Sequence, residues 1–116
     1  MDQQPPLRRG AVLFSDVDNK AWLVWDSKPA SPLCFEIVAY KVPRNRWDYV
    51  IEGGDVPGLG HRRFVVRAQK RAALDPAKVR VGGQMSPLAL ARLEQQMRLA
   101  AASQAAEEGT MIHARL

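Results

Sequence analysis

Between Lys41 and Arg71 the chain collects cations around an aromatic residue. Lys41, Arg44 and Arg46 precede Trp47, and His61, Arg62, Arg63, Arg67, Lys70 and Arg71 follow after a turn. The window holds eight Lys/Arg against three Asp/Glu (Asp48, Glu52, Asp55), an excess equal to the +5 net charge of the whole chain. Guanidinium and ammonium groups crowded in this way attract phosphates and release counterions on binding. Trp47 would offer unpaired bases a stacking surface if it stands in solvent, or it packs in the core as tryptophans of small barrels do. Tyr49 lies two residues on and shares its strand face. Lys41, Arg44, Arg46, Trp47, Arg62, Arg63, Arg67 and Lys70 are therefore the candidate nucleic-acid-binding residues. His61 can exchange a proton near neutral pH with Arg62 or Arg63 clamping a phosphate, or it is an ordinary loop histidine.

Other chemistries find little to use. Cys34 stands alone in the apolar run LCFEIVAY, so it forms no internal disulfide and reads as a buried structural thiol. One cysteine and two histidines supply no metal-ligand spacing, and no cofactor is expected. Asp16 and Asp18 fit a hairpin turn better than a metal site. The glycines at 53–60 lack the strand-to-helix context and lysine of a phosphate-binding loop. No apolar run reaches the roughly 18–20 residues that span a bilayer, and MDQQPPLRRG lacks the apolar core of a signal peptide. The expected location is the cytoplasm. A pI of about 9.9 favours an anionic partner, nucleic acid first and an acidic protein second.

The elements that must position these residues are short. With 116 residues and 47% apolar content, the chain is expected to form one domain, residues 9–102, behind a flexible leader at 1–8. Strands are expected at 10–15 and 20–26 around a polar turn at 16–19. Their apolar content on both faces fits a small barrel. Residues 33–42 form the longest strand candidate, with Phe35, Ile37 and Ala39 on one face and Glu36, Val38 and Tyr40 on the other. Further strands are expected at 47–52, 63–69 and 77–82. AALDP between the last two makes a helical turn or a β-turn. Ser86 is a good helix N-cap and Pro87 suits the first helical position. Leu90, Leu93, Met97 and Ala101 form an apolar stripe with Arg92, Gln95 and Gln96 largely off it. The helix is expected to stop at Gly109, with 103–116 an added helix or a disordered tail.

The stretch from Gly58 to Leu93, GLGHRRFVVRAQKRAALDPAKVRVGGQMSPLALARL, resembles the C-terminal half of the MazF/PemK family of toxin-antitoxin toxins. The resemblance covers about residues 8–100. It implies a mainly β fold, a small SH3-like β-barrel with one long C-terminal helix. It also implies a homodimer built near the third strand and the helix, and an acidic antitoxin lying across the basic groove. Family members in many cases cut RNA without a metal, growth inhibition being the outcome. An arginine followed by proline, at the start of the second strand, is the family's main catalytic residue, and a threonine at the end of the third completes the site. Here Lys20-Ala21 stands at the first place and Lys41-Val42-Pro43 at the second. No serine or threonine occurs between Ser31 and Ser86. The loop at Asp16–Asn19 is also shorter than the family's.

Metal-independent cleavage needs a proton acceptor for the 2′-OH, a donor for the leaving oxygen and cations for the phosphorane. Lys20, Arg44 and His61 are the catalytic candidates, and convergence of the three in one groove is the expected sign of a nuclease. Lysine offers charge but not the bidentate fork of arginine. Two other functions stay open on the same residues. One is a module that binds protein, as in the barrel of CcdB-like gyrase poisons. The other is an SH3-like barrel that binds nucleic acid without cutting it.

Overall fold

A computed structural model describes residues 7–28, 30–40, 45–52, 54–57 and 63–114. The chain folds as six antiparallel strands and one C-terminal helix: β1 (Ala11–Ser15), β2 (Ala21–Asp26), β3 (Leu33–Ala39), β4 (Asp48–Ile51), β5 (Phe64–Ala73), β6 (Val79–Gln84) and α1 (Pro87–Ala114). The sheet order is β4-β5-β3-β2-β1-β6. This is the mainly β, barrel-like architecture with a long terminal helix that the sequence implies.

Alternation along the strands sends apolar side chains to both faces. Val12, Leu23, Phe35, Ile37, Tyr49, Ile51, Val66 and Ala68 face the helix and form the main core with Met85, Ala89 and Leu93. Ala11, Leu13, Trp22, Val24, Cys34 and Val79 form a second cluster, joined by Leu7, Ala72 and Leu74. The two clusters use opposite parities of the same strands, so β1, β2 and β3 are buried on both sides.

Three departures from the regular ladder curl the sheet. The β1/β6 register shifts between Val12 and Leu13, where Gly82 is the extra residue. A side chain at Gly82 would run into Cε2 and Cδ2 of Phe14, so the ring occupies the space that a Cβ would need. The β2/β3 register shifts between Val24 and Asp26. The largest shift lies in β5: Phe35 pairs with Arg71 but Glu36 pairs with Arg67, so Ala68, Gln69 and Lys70 leave the ladder. The strand bends there. Its first half, with Phe64–Arg67, lies between β3 and β4, and its second half runs along β3 alone. Met85 N–H donates to Gly10 O (2.8 Å) and so extends the β1/β6 pairing, while Ser86 N–H donates to Asp55 O (2.7 Å), which ties the end of β6 to the segment after β4.

Asp16–Asn19 makes the expected hairpin turn. Ser15 N–H donates to Lys20 O at 2.9 Å, and Asn19 takes a left-handed φ of 56°, a conformation asparagine tolerates. Ala72 and Ala73, read from sequence as part of a turn, continue β5, because Cys34 and Leu33 offer them ladder partners. A single 3-10 turn, Pro76–Lys78, follows and is capped by Asp75, whose Oδ1 accepts from Ala77 N–H at 3.0 Å. β3 stops at Ala39, three residues before the expected end, and Lys41–Arg44 lie outside the described residues.

Ser86 caps α1 by accepting from Ala89 N–H at 3.2 Å, and Pro87 opens it, as the sequence requires. Buried positions are Ala89, Leu93 and Ala100, with Leu90 and Met97 partly buried. The stripe thus passes through Ala100 rather than Ala101, the seven-residue return of a 3.6-residue helix from Leu93. Gln96 is half-buried and donates to the carbonyls of Arg46 and Asp48. The helix continues past Gly109 to Ala114. A lone glycine costs a helix about 1 kcal/mol relative to alanine, and no proline follows to stop it. Residues 101–108 are all exposed. Among the described residues no helix is long and apolar enough to cross a membrane.

Candidate functional site

The sheet face turned away from α1 carries a charged row. β3 alternation places Glu36 on that face with Cys34, and ladder register places Trp22 of β2 on one side of it and Arg67 of β5 on the other. Lys20, just before β2, brings Nζ to 3.8 Å from Glu36 Oε2, and Arg67 Nη1 lies 3.9 Å from Oε1. One carboxylate therefore sits between two cations, each nearest a different oxygen. Its side chain is only 17% exposed, whereas Lys20 is 52% and Arg67 37% exposed. The cations reach solvent while the carboxylate lies below them.

The row continues in both directions. Asp48 of β4 pairs in register with Arg67. Arg63 lies at the start of β5, 3.9 Å from Glu52 Oε1, with its guanidinium 5.8 Å from the Tyr40 ring. Tyr40 is the first residue past β3, and its N–H donates to Arg63 O at 3.2 Å. Trp22 is buried, and its Nε1 is the one buried side-chain polar atom without a hydrogen-bond partner among the described residues. The bend in β5 matters here. Ala68–Lys70 leave the ladder directly after Arg67, so Arg67 stays opposite Glu36 while Arg71 stays opposite Phe35.

The remaining described cations of the basic window lie elsewhere. Arg71 stands 5.4 Å over the Phe35 ring, Phe35 stacks on Trp25 at 5.3 Å, and Arg9 lies 3.7 Å over Trp25. This cation–aromatic ladder faces the main core. Arg71 also donates through Nε to Ala68 O at 3.0 Å, across the β5 bulge. Arg46 turns to the far end of α1: Nη1 donates to Ser103 Oγ (3.0 Å) and Nη2 to both carboxylate oxygens of Glu107 (2.7 and 2.8 Å). Lys70 is exposed in the bulge. Trp47 is partly buried against the main core, and Tyr49 is in it. Burial and the nearby Asp55 carboxylate hold the Tyr49 phenol above its usual pKa, against the opposing pull of Arg92.

The structure thus brings together Lys20 and Arg67 of the candidate residues at Glu36, places Arg63 farther along beside Glu52 and Tyr40, and directs Arg46 and Trp47 elsewhere. Lys41, Arg44, His61 and Arg62 lie outside the described residues, so the convergence of Lys20, Arg44 and His61 is not described. Glu36 was not among the sequence candidates. Its signal was present, as the one charged residue in the strand LCFEIVA. Among the described residues no group of three His, Cys, Asp or Glu is placed to hold a metal ion. Cys34 is fully buried, its Sγ donating to Pro32 O at 3.6 Å, and burial pushes the thiol up to about 11.

No protein-family model matches the sequence, and no curated protein matches it either. Among solved structures, the fold is similar to that of an endoribonuclease from a mycobacterial species, with a TM-score of 0.67 at 15% identity. The match covers 87% of this chain and 96% of that one. At that identity the likeness concerns the fold.

Proposed function

We propose that the chain is a MazF/PemK-like toxin that binds single-stranded RNA across the sheet face away from α1 and cleaves it without a metal, inhibiting growth from the cytoplasm. The observation that carries this reading is the Lys20–Glu36–Arg67 row, a carboxylate between two solvent-reaching cations. The likeness in fold to an endoribonuclease and the sequence resemblance both support it. Lys20 stands where the family has its arginine. Tyr40 supplies a hydroxyl just past the end of β3, a place where the sequence has no serine or threonine. Arg63 and Arg67 extend the cationic track along β5, and Arg44 and His61 remain candidates from the sequence.

An acidic antitoxin would lie on the same face. In-chain carboxylates at Glu36 and Glu52 already sit within 4.0 Å of its cations, chemistry that an acidic segment would extend. The active form is a homodimer, for which the outward Leu88 and Leu99 of α1, 61% and 64% exposed, are available apolar surface. Its mass in solution would be twice 12.9 kDa.

Purified protein incubated with mixed single-stranded RNA in EDTA tests the reading. Products ending in 2′,3′-cyclic phosphate, lost in Lys20→Ala, are expected. Three phosphate contacts predict a slope of log affinity against log salt near −2, reduced by about 0.7 in Lys20→Ala, on the single-strand coefficient. Intact RNA with that same salt dependence would instead assign the chain to the non-cutting binders. RNA that neither binds nor breaks would refute both.

A further inference from the structure

We propose that Glu36 is the general base of the reaction, taking the proton of the attacking 2′-hydroxyl, and that Lys20 is the general acid that completes the step. The inference rests on the nuclease reading above and assigns its central group, which neither composition nor family resemblance identifies.

Three features of Glu36 argue for it. First, it is placed in mid-strand, with β2 on one side and β5 on the other, so its backbone is held at both edges. Acid–base catalysis demands such fixed placement. Second, among the described residues its oxygens accept no hydrogen bond, and its two cations stay at 3.8 and 3.9 Å. The Arg46–Glu107 pair, by contrast, closes to 2.7 Å with both carboxylate oxygens accepting hydrogen bonds. Lone pairs on a half-buried carboxylate are costly to leave unused, and here they remain open to a donor from outside. Third, the cations stand outward of it. A phosphate held by Lys20 and Arg67 would bring its neighbouring ribose over the carboxylate.

The step balances without metal or cofactor. The 2′-OH proton passes to a Glu36 carboxylate oxygen as O2′ attacks the adjacent phosphorus. Arg67 stabilises the charge on the phosphorane oxygens. The bond from phosphorus to O5′ breaks, and the Lys20 ammonium gives its proton to O5′. The products are a 2′,3′-cyclic phosphate and a 5′-hydroxyl. Glu36 is left as a carboxylic acid beside a neutral Lys20 amine, and a proton crossing between them, directly or over one water, restores the starting pair.

Glu36→Gln keeps shape and removes the base. With a short single-stranded RNA in EDTA, single-turnover cleavage should fall by about 100-fold or more, the range of a lost general base. The acid limb of the parent's pH–rate profile should vanish. Binding of the 2′-O-methyl version, which lacks the nucleophile, should be unchanged or tighter, because a negative charge between two cations is gone. Glu36→Asp, which keeps the charge but withdraws it by one methylene, should cut slowly and retain the acid limb, and it serves if the glutamine variant fails to fold. Cleavage by Glu36→Gln within about threefold of the parent, or a slower rate with the parent's pH profile, would overturn the assignment while leaving the nuclease reading intact. A parent that leaves RNA whole would remove both.

Discussion

The outer half of α1 is tied back to the strands by a side-chain clamp. Beyond Ala100 every described side chain is exposed, while Arg46, ahead of β4, reaches Ser103 and both oxygens of Glu107. A helical end whose residues 101–108 are all exposed gains little from packing and is marginal by itself. The clamp should therefore set how often it frays. Arg46 is 38% and Glu107 59% exposed, so solvent screens the pair. Its worth lies at the upper end of the surface range, about 1 kcal/mol with the serine hydrogen bond. That corresponds to about a fivefold change in a local opening equilibrium. Arg46→Ala should speed amide exchange at 104–114 by about fivefold and leave 89–97 unaffected, because Ala89 and Leu93 anchor that part in the main core. Glu107→Gln should do the same, and the double variant should add little. Salt near 1 M should speed exchange in the parent but not in the variants. Neither change should alter RNA affinity severalfold, because Arg46 turns to α1 and away from the sheet face proposed for RNA. Unchanged exchange at 104–114 in both variants would refute the clamp. Faster exchange that also reached Leu93 would show that the helix opens as a whole.

Two further outcomes follow from packing and burial. Gly82→Ala drives a methyl into the Phe14 ring and should cost about 1–3 kcal/mol, the range of overpacked sites, seen as a lowered Tm; Gly82→Ala with Phe14→Val should recover most of it, and an unshifted Tm in the single variant would disprove the close approach. The Cys34 thiol is raised from 9.0 to about 11 by burial, so the unfolded chain loses this proton at lower pH than the folded one. Its contribution to stability is complete below about pH 9 and disappears as pH rises through 11, and Cys34→Ala should flatten the stability–pH curve there. Native protein should also resist thiol reagents at pH 8 until it unfolds.

How much of this could be read beforehand depends on sequence distance. Local patterns were readable: the Ser86-Pro87 helix start, the Asp16–Asn19 turn, and the alternation placing Phe35 and Ile37 inward with Glu36 and Val38 opposite. Each is decided within a few residues. The bulge at Ala68–Lys70 was not readable, since its cause is the pairing of β5 with two different strands, and the extension of β5 through Ala72-Ala73 has the same origin. Both exceed what alanine's weak strand preference would predict. Charge was legible as a total but not as a geometry. The 41–71 window announces cations, yet register gives Arg67 to Glu36, 31 residues earlier in sequence, and the helix gives Arg46 to Glu107, 61 later. Arginines adjacent in a count therefore end on different surfaces. A carboxylate amid LCFEIVA was the stronger clue, because leaving a charge in a strand flanked on both sides carries a desolvation penalty that only specific partners offset. Such a residue implies that cations come to it, even when the sequence cannot say which. In a basic protein the residue to follow first is then the acid that folding half-buries, since its partners mark where the chain has concentrated opposing charge for use.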